Sequence, residues 1–296
     1  MKIVQSLWTK PSLKKVNLNN FDRNMGGWSK RQYNYMSWAL SCLRFREHYD
    51  EVELITDELG AEMLIGKLNL PYTRVRTELD QLNHYHPDLW ALGKIYAYSV
   101  QDAPFLHADG DVYIWSKFEE RIETAPLAAQ NEEVNFPCYA EAFKELETKF
   151  HFLPNAVHWD REVNKGFTGI NAGVLGGNRV DLINHYAREA FKFIDNNVDF
   201  LSSINIGNFN IVFEQYLFYC ITQQQGQPIE YCFHQVNDRF DGLAEFSGIP
   251  NKVRYVHPIG LYKRRQEIGE HVANRLRLEF PEYYFKIMNL LNTYEL

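Results

Sequence analysis

The chain has few cysteines, no long apolar run and no excess of positive charge, and each shortage removes a class of protein. Its four cysteines, Cys42, Cys138, Cys220 and Cys232, are scattered without a Cys-x-x-Cys pair. That pattern matches neither a zinc framework nor a disulfide-stapled secreted domain, so reduced thiols are expected. No 18 apolar residues follow one another, and the run from Ile3 to Trp8 is too short for a signal peptide. The expectation is a cytoplasmic protein with no transmembrane segment, peripheral association with a membrane being left open. A net charge of -7 supplies no basic stripe for a nucleic acid. There is no internal repeat or low-complexity tract.

What remains is an ordinary soluble globular composition, 45% hydrophobic and 23% charged over 296 residues. Residues 1–296 are read as one α/β domain. Strand signals near 2–8, 51–56 and 72–76 alternate with helical patterns near 30–47 and 58–68, which predicts βαβ units and a mainly parallel sheet in this part. A polar, Asn-rich stretch ending in Met25-Gly26-Gly27-Trp28 separates the first strand from the first helix, longer than a routine connector. Residues 87–100 read as a helix, with Pro87 in its first turn and Leu89, Leu92, Tyr96 and Val100 on one face.

That helix feeds a short strand ending at Ala108, then Asp109-Gly110-Asp111, then a second strand pattern from Val112 to Trp115. Residues 131–165 are less regular, with one helix near 139–150, and are a candidate insertion or lid. Regularity returns with a strand over 166–177, a helix from Val180 to about Asn196 capped by Asn178, and a helical run over 208–224. A strand ending at His257 and a helical tail over 264–296, interrupted at Pro281, complete the chain.

An Asp-x-Asp triplet alone means little, since random order gives roughly one match in a chain of this composition. Its place at the end of a strand gives it meaning. In open α/β sheets ligands collect outside the carboxyl ends of strands, where two carboxylates can hold a hard divalent cation.

Four segments recur in a recognisable order: Asp109-Gly110-Asp111, Asn171-Ala172-Gly173-Val174, Glu214-Gln215, and His257-Pro258-Ile259-Gly260-Leu261-Tyr262-Lys263. Together they resemble the nucleotide-sugar glycosyltransferases of the GT-A fold, closest to the retaining enzymes of glycosyltransferase family 8, the group of glycogenin and bacterial galactosyl- and glucosyltransferases. The resemblance implies a Rossmann-like mixed sheet flanked by helices, a UDP-sugar donor, and an acceptor that the sequence does not identify (glycan, peptide or small metabolite). It implies Asp109, Asp111 and His257 as metal ligands, with Gly260 and Lys263 toward the diphosphate. Two carboxylates and an imidazole suit Mn²⁺ better than Mg²⁺, which favours all-oxygen ligation.

By the same resemblance Asn171 and Gly173 lie beside the transferred sugar, and Glu214-Gln215 stands where the family has Asp-Gln. Glu214 is then a nucleophile, a charge stabiliser or an orienting acceptor. Lys94 matches a position often basic in related enzymes, although a lone helix lysine also reads as a solvated charge. The nucleoside pocket is expected around Trp8 and Thr9 and around Thr56 and Asp57. The chain departs from the pattern in two places: Arg264-Arg265 follow Lys263, and His107 stands where a hydrophobic residue is usual, so His107 with Asp109 is an alternative ligand pair. Two other readings stay open: a catalytically silent sugar or nucleotide binder of the same fold, and a sugar nucleotidyltransferase, for which the first strand lacks the Gly-rich phosphate loop.

Overall fold

The computed structural model describes residues 1–13, 25–234, 236–240, 242–293 and 295–296. Much of the Asn-rich stretch after the first strand, residues 14–24, lies outside the described residues. In chain order the first third forms β1 (Lys2–Leu7), α1 (Lys10–Leu13), α2 (Arg31–His48), β2 (Val52–Thr56), α3 (Glu58–Ala61) leading into a π-helical turn (Glu62–Lys67), and β3 (Arg74–Thr77). Next come α4 (Leu92–Ser99), β4 (Phe105–Ala108), β5 (Tyr113–Ile114), α5 (Glu120–Glu123), β6 (Ala128–Val134), α6 (Pro137–Lys149), α7 (Asn155–Val163), β7 (Thr168–Gly177) and α8 (Val180–Asp195). The last third holds α9 (Ile206–Ile211), a second π-helical turn (Val212–Tyr216), α10 (Leu217–Gln224), β8 (Glu230–Phe233), β9 (Tyr255–Val256), a 3-10 turn (Gly260–Arg264), α11 (Gln266–Glu279) and α12 (Pro281–Asn292).

These elements fall into two compact units. One contains Lys2–Asn83, Asp109–Lys117 and Phe240–Leu296. Its strands run in the order β3-β2-β1 and are parallel, with Ile3 opposite Val52 and Glu53 opposite Arg74. Every residue of β2 is buried, as a parallel strand covered on both faces requires. The βαβ alternation therefore gives the pairing direction correctly here. The core joins Met36, Leu40 and Leu43 of α2 to Ile268, Val272 and Leu276 of α11 and Ile287 of α12. Gly269 lets α11 approach α2, since a Cβ there would lie 2.2 Å from the Tyr33 ring.

In the same unit β5 and β9 form a short antiparallel pair, Tyr113 opposite Val256 and Ile114 opposite Tyr255. Extending that register by one residue sets His257 opposite Val112, next to Asp111.

The other unit contains His84–Ala108 and Phe118–Arg239, together with Met1. Its strands run β4-β7-β6-β8; β4 and β6 are antiparallel to β7, while β6 and β8 are parallel. The fold class is mixed α/β. Between Ala129 opposite Leu175 and Asn131 opposite Asn171 the register jumps, so that residues 172–174 of β7 face residue 130 alone. This bulge is the Asn-Ala-Gly-Val segment singled out in the sequence.

Three local expectations are corrected. The helix expected over 87–100 spans only Leu92–Ser99, because Asn210 reaches in from α9 and takes the backbone groups at its start: Ala91 N–H donates to Asn210 Oδ1 (2.9 Å) and Asn210 Nδ2 donates to Asp88 O (2.8 Å). Asn178 does not cap α8; its Nδ2 donates to Thr124 O at 2.8 Å, and Arg179 is the N-cap, without a side-chain bond. Residues 131–165 are more regular than their sequence suggests, holding the end of β6, all of α6 and all of α7. Among the described residues no helix is long and apolar enough to cross a membrane.

The helix crossing gives a direct test. Gly269→Ala should lower stability, because overpacking of about 1–3 kcal/mol opposes the roughly 1 kcal/mol that alanine gains over glycine within a helix. A urea midpoint equal to or above the wild-type value would show that Tyr33 yields freely.

Candidate functional site

Asp109 and Asp111, and His257 far downstream of both, offer ligand atoms that all lie within 4.8 Å of one another. The turn between β4 and β5 supplies the acids, and the end of β9 supplies the imidazole. The chain path at the turn is tight: Val112 N–H donates to Asp109 O at 3.0 Å, and a Cβ on Gly110 would lie 2.6 Å from the Trp38 ring of α2. Only glycine fits there. His257 is fixed by its N–H donating to Leu243 O at 2.7 Å, and its Nε2 stands 3.5 Å from Asp111 Oδ1.

Lys263, on the 3-10 turn after His257, forms an ion pair with Asp111 Oδ2. Gly260 opens that turn with φ +54°, a left-handed conformation that suits glycine. Burial alone pushes the Asp111 carboxyl up; the Lys263 ammonium and then His257 outweigh it and hold the group well below the ordinary carboxylate range. Asp111 is thus buried and ionised, with the Lys263 ammonium and the His257 imidazole facing it. Two carboxylates and an imidazole at this spacing form a donor set that could hold a divalent metal ion.

His107 is not one of this group. It sits in the middle of β4, 1% exposed, edge-on to Tyr98 at 5.2 Å between ring centres. Burial, with the Lys94 charge nearby, pushes its imidazole well below the usual range and keeps it neutral. The alternative pairing of His107 with Asp109 is therefore replaced by Asp109, Asp111 and His257.

Of the residues expected near the nucleoside, all four are buried in the same unit as the acids. Asp57 Oδ2 accepts from both Thr9 N–H and Thr9 Oγ1 at 2.7 Å, and its Oδ1 caps α3 through Gly60 N–H at 2.8 Å. Thr56 Oγ1 donates to Leu7 O at 2.6 Å, and Trp8 Nε1 to Asn83 Oδ1 at 3.4 Å. The Thr9–Asp57 and Thr56–Leu7 bonds tie the carboxyl ends of β1 and β2 together.

Lys94, Asn171, Gly173, Glu214 and Gln215 belong to the other unit. Lys94 is no solvated charge: it is 9% exposed, donates to Ala172 O at 2.9 Å, and lies 2.5 Å from Oε1 of Glu214, itself fully buried. Glu214 and Gln215 occupy the π-helical turn between α9 and α10, a distortion that recurs at functional sites. Within the β7 bulge, Gly173 N–H donates to Asn171 Oδ1 at 3.0 Å, and Asn171 Nδ2 donates to Glu133 Oε1 at 2.9 Å.

Sequence reasoning missed Glu133 and its partner Tyr139. The Tyr139 hydroxyl donates to Glu133 Oε2 at 2.6 Å and stands 2.9 Å from Oε1 of Gln215. Burial raises the Glu133 carboxyl above its ordinary range, against those bonds. The only local signal was an acidic residue at an inward position of a strand, which an irregular segment disguised.

A family model, described as a family of unknown function, DUF6734, matches residues 1–290. The chain belongs to that family. No curated protein matches it. Among solved structures it is similar to the galactosyltransferase LgtC in complex with donor and acceptor sugar analogs, at 13% identity over 93% of this chain and 96% of that one, with a TM-score of 0.42. It is also similar to the apo form of mouse xyloside xylosyltransferase 1, at 12% identity over 78% of this chain and 84% of that one, with a TM-score of 0.38. Both are named as glycosyltransferases. At such scores the likeness bears on no individual residue.

Two outcomes follow from the charges. Because the folded-state pKa of Asp111 is depressed, its stabilising contribution is complete above the unfolded carboxylate value of about 4 and fades as pH falls below it. The stability gap between wild type and Asp111→Asn, followed by urea midpoints, should therefore be widest near neutrality and narrow in acid; a gap constant with pH contradicts an ionised Asp111. In the other unit, Lys94→Met leaves the Glu214 carboxylate buried without its cation and should cost about 3–5 kcal/mol. Adding Glu214→Leu should recover part of that loss, and additive losses in the double variant would show that the two side chains are not coupled.

Proposed function

We propose that this DUF6734 chain is a metal-dependent, retaining glycosyltransferase that moves a hexose from a UDP-sugar to an acceptor hydroxyl on a glycan, a peptide or a small metabolite. One observation carries the reading: Asp109, Asp111 and His257 converge within 4.8 Å, with the Lys263 ammonium on the same buried carboxylate. Such a set meets a diphosphate naturally. The carboxylates and imidazole would hold Mn²⁺, or with less suitable ligation Mg²⁺, and Lys263 and the open backbone at Gly260 would face the phosphate oxygens. A bound divalent cation disperses the negative charge that grows on the leaving diphosphate.

In this reading the whole chain, 1–296, works as one GT-A-like domain, with residues 131–165 an insertion or lid that bears on the choice of acceptor and 264–296 a C-terminal helical tail packed against α2. Trp8, Thr9, Thr56 and Asp57 border the nucleoside. Asn171, Gly173 and Gln215 border the sugar, and Glu214, engaged by Lys94, orients it. Transfer breaks the bond from the anomeric carbon to the diphosphate oxygen and forms one to the acceptor oxygen on the same face; the acceptor proton leaves on the departing UDP. The four free cysteines agree with a cytoplasmic setting.

The test is UDP release from UDP-glucose, UDP-galactose and UDP-N-acetylglucosamine with Mn²⁺ and then with EDTA. Release should depend on the metal and fall on the order of 100-fold in Asp111→Asn. Thermal stabilisation by UDP and Mn²⁺ with no turnover across a broad acceptor panel would instead make the chain a nucleotide-sugar binder.

A further inference from the structure

The face of α2 that meets the acid turn carries Ser37, Ser41 and Arg44, spaced i, i+4 and i+7, in a helix otherwise buried through apolar residues. Each donates to a backbone carbonyl two residues further along the turn and β5: Ser37 Oγ to Gly110 O at 2.9 Å, Ser41 Oγ to Val112 O at 2.7 Å, and Arg44 Nε to Ile114 O at 2.8 Å. Ser37 and Ser41 stand one helical turn apart, a rise of about 6 Å, so one face of α2 reaches two carbonyls of the acid turn.

Two further contacts make the serines specific to the acids. Gln5 Nε2, from β1, donates to Ser41 Oγ at 2.8 Å and to Asp109 O at 3.2 Å, and the Gln5 carbonyl accepts from Tyr72 OH at 2.8 Å. Ser37 Oγ also lies 2.7 Å from Tyr113 OH, on the strand that pairs with the segment bearing His257. The backbone of Asp109, Gly110 and Val112 is thereby held by side chains that have no ligand atom of their own in the cluster.

We propose that Ser37 and Ser41 are positioning residues of the cation site, setting its affinity by fixing the backbone that carries Asp109 and Asp111. The inference rests on the metal reading above. Partners that orient metal ligands from behind commonly change affinity 10- to 100-fold when lost, because free carboxylates must then be ordered at the moment of binding.

The experiment is a Mn²⁺ titration of the full chain, with free Mn²⁺ measured by its EPR signal, on wild type, Ser37→Ala/Ser41→Ala and Gly269→Ala. The last variant overpacks α2 at Tyr33, one turn before Ser37, without removing a donor to the acid turn, and controls for general loss of stability. The expected result is Mn²⁺ affinity about 10- to 100-fold weaker in the double serine variant and unchanged in Gly269→Ala. Wild-type affinity in the double serine variant overturns the proposal, as does equal weakening in both variants, which would mean general softening. Absence of Mn²⁺ binding by wild type would sink the metal reading itself, and is thereby distinguished from failure of the serines.

Discussion

A carboxylate taken out of water costs free energy unless cations or donors meet it, and Asp111, buried in a tight turn, is met by Lys263 and His257. Much of the surrounding unit serves that encounter. The β5–β9 pairing delivers the imidazole to within 3.5 Å of the acid, and the left-handed Gly260 lets the chain turn so that Lys263 returns to the same carboxylate. The Trp38 ring beneath Gly110 and the serine rungs of α2 hold the turn itself. The result is an ionised, buried acid set between a lysine and an imidazole.

The second unit solves a similar problem by different means. Glu214 and Lys94 are both buried and neutralise each other, while Asn171, Glu133, Tyr139 and Gln215 form a chain of hydrogen bonds across β7, β6, α6 and the π-helical turn. The β7 bulge and the π-helical turn are irregularities in otherwise regular elements. Each gives up regular backbone pairing and places polar side chains where apolar ones would pack with less difficulty.

The parallel order of β1, β2 and β3 was legible because hydrophobic strands alternated with helical periodicity. The acid turn was legible because strand signals broke there, and His257 because its segment with Gly260 and Lys263 resembles that of a known family. Lys94 was ambiguous: helical spacing says which face a residue shares but not whether a glutamate more than a hundred residues later will bury with it. Asn178 and the start of α4 were misread for the same reason, since Thr124 and Asn210 compete for backbone and side-chain groups that a local pattern assigns within the segment.

By itself the sequence determined the α/β class, the positions of most strands and helices, and which few residues had the chemistry to hold a cation, because periodicity and side-chain type are local properties of a chain. The tertiary structure decided that β7 runs antiparallel to both its neighbours, that His107 is a neutral core residue while His257 joins the acids with Ser37 and Ser41 bonded to their turn, and that in the other unit Glu133 meets Asn171 and Tyr139. Pairing direction, burial and hydrogen-bond partnership depend on which distant segments meet, and a meeting is settled by the packing of the whole chain.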